Sequence, residues 1–119
     1  MTLGVIEKEG SDLANVIARE SETAGHRCLV FKDFAHVTRL IHTVHVDKFA
    51  VQIDRPGLNA LDWLEILLPS WPDLPPRTLL LAESQLTPCD ATRIRKLGAE
   101  VVYLPPSLAD AKNVVMAHL

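Results

Sequence analysis

The side chains able to do chemistry fall in a few short runs. Glu7-Lys8-Glu9 places two carboxylates around an ammonium. Gln52 and Asp54 lie two residues apart, and Glu83-Ser84 sets an acid beside a hydroxyl. Carboxylates can hold a hard cation or move a proton, and a hydroxyl becomes a nucleophile where a base activates it. No histidine stands in these runs to be that base. The histidines gather elsewhere, with His36, His42 and His45 close to Asp47. His42 and His45 are three residues apart, a spacing that shares a helix face and suits a metal ion. The same pair suits the dipole at a helix end, and no second ligand pair accompanies it, so no metal site is expected. Gly4 and Gly10 do not make the glycine-rich cradle that a nucleotide phosphate needs. Cys28 and Cys89 form neither a C-x-x-C pattern nor a disulfide framework and are expected to be reduced packing residues.

Positioning these runs requires a scaffold, and the apolar pattern supplies one. Residues 3–6 form a short apolar run suited to a buried strand. Ser11 can cap a helix with Leu13, Val16 and Ile17 on one face, and Gly25 ends it. Residues 28–31 are a second strand. Asp33 caps a second helix with Val37, Leu40, Ile41 and Val44 inward. Residues 49–53 are a third strand, broken only by Gln52, and Asp54-Arg55-Pro56-Gly57 is a turn. Leu61, Leu64, Leu67 and Leu68 mark a third helix, and the proline-rich stretch 69–76 stops it. Residues 78–82 are a fourth strand. Thr87-Pro88-Cys89-Asp90 opens a fourth helix with a cap, an initial proline and an acid near the positive dipole end, and Gly98 closes it. Residues 101–104 are a fifth strand. Ser107 with Asp110 opens a fifth helix carrying Leu108, Val114, Val115 and Leu119.

Five strands alternate with five helices. That order predicts an α/β fold, a doubly wound five-stranded parallel sheet with helices on both faces. Near-continuous apolar strands fit a sheet covered on both sides. Ligands of such a sheet sit beyond the carboxyl ends of its strands. The positions to inspect are therefore Glu7, Lys8 and Glu9, then Gln52 and Asp54, then Ala82, Glu83 and Ser84, and last Pro105 and Pro106.

At this point the chain resembles a known family. Residues 47–57, Asp-Lys-Phe-Ala-Val-Gln-Ile-Asp-Arg-Pro-Gly, are similar to the third strand and following turn of a response-regulator receiver domain of the CheY-like type. Gly98-Ala99-Glu100 ahead of residues 101–104 and Pro106 resembles the family's segment around its fifth strand, and Gly25-His26 its entry to the second. The resemblance covers essentially the whole chain. It implies a flavodoxin-like order of elements and a signalling role. It also implies a cis peptide before Pro106.

The same resemblance locates the departures. A working receiver needs an acid cluster for magnesium, an aspartate nucleophile, a hydroxyl and a lysine. Here the acid pair reads Glu7-Lys8, and lysine has no lone pair for a cation. The phospho-acceptor position reads Gln52, the hydroxyl position Ala82 and the lysine position Pro105. The aromatic switch position reads Val102, with Tyr103 one residue away. Of these positions Glu7 alone keeps its character. Asp54 lies two residues beyond Gln52 without hydroxyl or lysine to support phosphoryl transfer. Lys8 either pairs with Glu7, Glu9 or Asp54 where magnesium would sit, or points into solvent.

The expectation is an atypical pseudo-receiver with no enzymatic activity and no cofactor. It would act through protein contact, either with a partner or as a homodimer. The face made by the fourth helix, fifth strand and fifth helix would serve, with Ile94, Leu97, Val101, Tyr103, Val114 and Met116 as candidates. DNA would be reached only through a separate domain, residues 1–119 being one domain of a possibly longer regulator. The net charge of −3 speaks against a basic nucleic-acid face. No signal peptide or membrane-length apolar run is read, so a cytoplasmic protein is the default. The competing class is a small flavodoxin-like enzyme or ligand-binding domain working at the strand ends through Glu83, Ser84 and Asp54.

Overall fold

The computed structural model describes residues 1–6, 12–53 and 58–118. The elements run β1 (Thr2–Ile6), α1 (Leu13–Thr23), β2 (Arg27–Phe31), α2 (Phe34–Leu40), β3 (Lys48–Ile53), α3 (Leu58–Leu67), β4 (Thr78–Ala82), α4 (Pro88–Leu97), β5 (Glu100–Tyr103) and α5 (Leu108–His118). All strand pairs are parallel, in the order β2-β1-β3-β4-β5. The doubly wound α/β architecture expected from the alternation is the one observed. The order reverses between β1 and β3, and sheets of this kind take ligands near such a point, beyond the carboxyl ends of their strands.

Alternate residues of each strand feed two cores. Ile6, Phe31, Phe49, Val51, Leu80 and Ala82 pack against Val37 of α2, Leu61, Trp63 and Leu64 of α3, and Ile94 and Leu97 of α4. Val5, Ala50, Leu79, Leu81 and Val102 pack against Leu13, Ala14 and Ile17 of α1 and Ala111 and Val115 of α5. This period of two is the strand's own geometry. Trp63 is a core residue, and its indole Nε1 donates to Thr38 Oγ1 at 3.2 Å.

The capping chemistry read from the sequence is largely in place. Asp33 accepts from the His36 N–H at 2.8 Å and Thr87 from the Asp90 N–H at 3.2 Å. Gly98 takes the left-handed conformation (φ 82°) that ends α4 without strain. Ser107 receives the Ala111 N–H on its carbonyl and, at 3.5 Å, the Asp110 N–H on its hydroxyl. The expected Ser11 cap lies outside the described residues; Asp12 stands at the N-cap of α1 with no side-chain bond.

Several expectations need correction. The second helix stops at Leu40 rather than running to Val44, and hydrogen-bonded turns follow. Thr43 Oγ1 donates to the Leu40 carbonyl at 3.2 Å, the local competition that makes threonine a poor helix interior. Leu108 is exposed, and Ala111 and Val115 form the inward face of α5. Cys89 is exposed rather than a core residue; Cys28 is half-buried, and burial and the charge of Glu22 push its thiol up to about 11. Arg93 bridges α4 to α3: its Nη2 donates to Asp62 at 2.7 Å and its Nε to Glu65 at 2.8 Å.

The six interface candidates separate. Ile94 and Leu97 are not surface residues, because their helix turns them into the core shared with α3. Val101 packs partly against the same core. Val114 and Met116 lean on the opposite core, and the Met116 sulfur accepts from Ser21 Oγ of α1 at 3.9 Å. Tyr103, 50% exposed on the edge strand β5, is the most exposed of the six.

Candidate functional site at the strand ends

The chemistry at the carboxyl edge begins with strand parity. On the α1–α5 face, the β3 row continues from Ala50 to Gln52, and the β4 row from Leu79 and Leu81 toward Glu83. Both rows therefore turn from apolar to polar at the same level. Gln52 Nε2 donates to Glu83 Oε1 at 3.4 Å. The carbonyl end of the amide is left behind: Gln52 Oε1 is buried and, among the described residues, has no hydrogen-bond partner. Rotating the amide would set its oxygen against the Glu83 carboxylate, so the observed orientation is the favourable one.

Beside this pair lies a cleft of about 420 Å³, within the range of small-molecule sites. Leu13 of α1 and Leu108 and Ala111 of α5 form its apolar walls. Leu104, Pro105, Pro106 and Ser107 of the β5–α5 loop close one side, and Gln52 and Glu83 form the polar end. The loop is pinned by the Leu104 N–H donating to the Ala82 carbonyl at 2.8 Å.

Of the sequence-predicted site residues, Gln52 and Pro105 come together in this cleft, and Pro106 lines it as well. Ala82 does not join them: its methyl is buried in the α2–α3–α4 core, next to Ile53. Glu7, Lys8, Glu9 and Asp54 lie outside the described residues. The Gln52–Glu83 bond was missed by sequence reading. Its signal was available in the period of two along residues 79, 81 and 83.

The described residues supply one amide oxygen and one carboxylate at this edge. That does not make up the several oxygen ligands of a magnesium ion. Among the described residues no group of three or more His, Cys, Asp or Glu could hold a metal. His42 and His45 are engaged apart from each other, His42 against the Trp71 ring (centroids 5.3 Å) and His45 with Asp47 at 3.1 Å. Among the described residues no helix is long and apolar enough to cross a membrane.

Comparison with known proteins places this geometry. No protein-family model matches the chain, and no curated protein sequence does. Solved structures do. The non-phosphorylated HemR receiver domain from Leptospira biflexa superposes with a TM-score of 0.74 at 20% identity, covering 98% of this chain and 91% of that one. The receiver domain of Francisella response regulator 1452 gives 0.72 at 19%, covering 98% and 93%. The inactive regulatory domain of the repressor of iron transport regulator gives 0.75 at 14%, again covering 98% and 93%. The chain has the CheY-like fold of response-regulator receiver domains.

Proposed function

We propose that this chain is a signalling domain of the two-component type that works without phosphorylation, through contact with protein. The observation that carries the reading is the end of β3. An amide, Gln52, stands at the position that in receivers holds the phospho-acceptor, and it is engaged by Glu83 at 3.4 Å. An amide nitrogen is no acceptor for a phosphoryl group. The supporting positions point the same way, since Ala82 has no hydroxyl and Pro105 no ammonium. The resemblance adds that Glu7-Lys8 breaks the acid pair.

Such a domain transmits by its surface. The edge strand β5 between α4 and α5 is the proposed contact face, with the exposed Tyr103 ring as its apolar anchor. The partner is a second copy or another regulator, and DNA is contacted only by a further domain. The test is a titration with beryllofluoride and magnesium, followed by tryptophan fluorescence and light scattering against an active receiver. Unchanged fluorescence and oligomeric state are expected. A saturable, magnesium-dependent change would overturn the reading.

A further inference from the structure

Hydroxyls inside the helices of this chain mostly turn back on their own backbone. Thr23, Thr38 and Thr92 each donate to the carbonyl four residues earlier at 2.9 Å. Ser21 of α1 does not. It is 0% exposed, and its Oγ donates across the seam to the sulfur of Met116 on α5, at 3.9 Å. Among the described residues the hydroxyl has no other partner. A thioether is a weak acceptor, so a fully buried donor is held on a poor partner. The sulfur itself is within reach of solvent, because Met116 is partly exposed while its inner side leans on the core shared with α1. Four residues before it, Lys112 Nζ meets Glu20 Oε1 at 3.5 Å across the same seam and fixes the two helices side by side.

We propose that Met116 is a site of oxidation by hydrogen peroxide, and that the Ser21 hydroxyl holds the sulfoxide that forms. The sulfur lone pair attacks one peroxide oxygen and the O–O bond breaks. The departing hydroxide takes up the proton of the transferred oxygen and leaves as water. Sulfur loses two electrons, and the peroxide gains them. The sulfoxide oxygen is a much better acceptor than the thioether, and the unbranched side chain turns about its own bonds to bring it to Ser21. Methionine oxidation ordinarily disrupts a core, because a polar oxygen enters an apolar contact. Here a buried donor already waits, so the α1–α5 seam keeps its packing. Cys28, on the same core, does not compete: its thiol, pushed up to about 11, stays protonated at neutral pH, and the thiolate is the reactive form. The proposal stands apart from the phosphorylation reading: a beryllofluoride response would leave it intact.

The experiment treats the chain with hydrogen peroxide, in a Cys89→Ser background that removes the exposed thiol. Peptide mass spectrometry follows oxygen addition at the two methionines, Met116 and the 44% exposed Met1, which serves as the internal reference. Circular dichroism gives the melting temperature and reports that each variant is folded. Met116 should gain one oxygen at a rate within about tenfold of that of Met1. The oxidised chain should melt within about 2 °C of the untreated one. In Ser21→Ala the sulfoxide finds no donor, and oxidation should lower the melting temperature by at least about 4 °C. Met116→Leu should melt alike before and after treatment. The mass measurement needs no substitution at the seam and stands whatever Ser21→Ala does to folding. The proposal is overturned if Met116 stays reduced while Met1 oxidises, if oxidation destabilises the native seam as much as the Ser21→Ala seam, or if Met116→Leu loses stability on treatment.

Discussion

The two ends of the sheet treat their polar groups differently. Where the strands enter, each is tied down. Asp47 accepts the Thr2 N–H at 2.7 Å and meets His45 at 3.1 Å. Arg77 donates to the Val46 carbonyl at 2.9 Å, and Lys48 to the His118 carbonyl at 3.2 Å. His118 in turn meets Glu100 at 2.9 Å. Where the strands leave, a buried amide oxygen has no partner among the described residues and a cleft lies beside it. A buried unpaired acceptor costs about 1–3 kcal/mol. Among the described residues the entry end is thus built for stability, and the exit end holds the one buried side-chain atom left unsatisfied, a feature more usual at working sites.

The largest test of that contrast is in apolar packing. Phe49 stands near the entry end, 1% exposed, with its ring near Phe31 and Trp63. Phe49→Ala should lower unfolding free energy by about 3–5 kcal/mol. Leu108→Ala, on the exposed wall of the cleft, should change it by no more than about 0.5 kcal/mol. Urea denaturation of both variants checks the pair; comparable losses would erase the distinction between the ends. Arg77 gives the next effect. Arg77→Ala leaves the Val46 carbonyl without its donor and should cost about 1–2 kcal/mol by the same measurement.

How much of this was legible in the sequence follows from the range of the interactions. The strands and helices are written in local patterns, with caps at Asp33, Thr87 and Ser107 and stops at Gly25 and Gly98. Hence the fold came from spacing alone. What failed was whatever depended on the angle of a helix against its neighbours. Ile94 and Leu97 look like any apolar surface pair until α3 is seen to cover them. The partners of Arg93 leave no local sign, because Asp62 and Glu65 are some thirty residues away in sequence. The candidate site sits between these cases. Gln52 and Pro105 were placed by resemblance and found in one cleft, but Ala82 was assigned by its place along β4 without regard to which face it serves.

At the exit end, the orphaned oxygen makes a prediction of opposite sign. Gln52→Met keeps the length of the side chain and removes both polar groups. It discards an unpaired buried acceptor together with one long hydrogen bond at 3.4 Å, and should be neutral or stabilising by up to about 1 kcal/mol. Thermal melts compare it with the native chain. A loss above about 1 kcal/mol would mean that the oxygen is satisfied in solution, and the two ends would then be alike.

The smallest effect tests the entry end through pH. The Thr2 N–H, and after it His45, hold the Asp47 carboxyl below the usual carboxylate range, against a smaller opposing effect of desolvation. A lowered folded-state pKa means that the unfolded chain takes up the proton first. The stabilisation is therefore complete above the ordinary aspartate range and disappears as pH falls through the lowered value. Asp47→Asn keeps an acceptor for Thr2 and removes the charge. Its melting temperature should lie slightly below that of the native chain at neutral pH, and the two should converge as acid is added. The site is exposed, so screening keeps the gap small, and added salt should narrow it further. A gap that persists at the acid end would show that Asp47 works by geometry alone, leaving the pinned end of the sheet indifferent to charge.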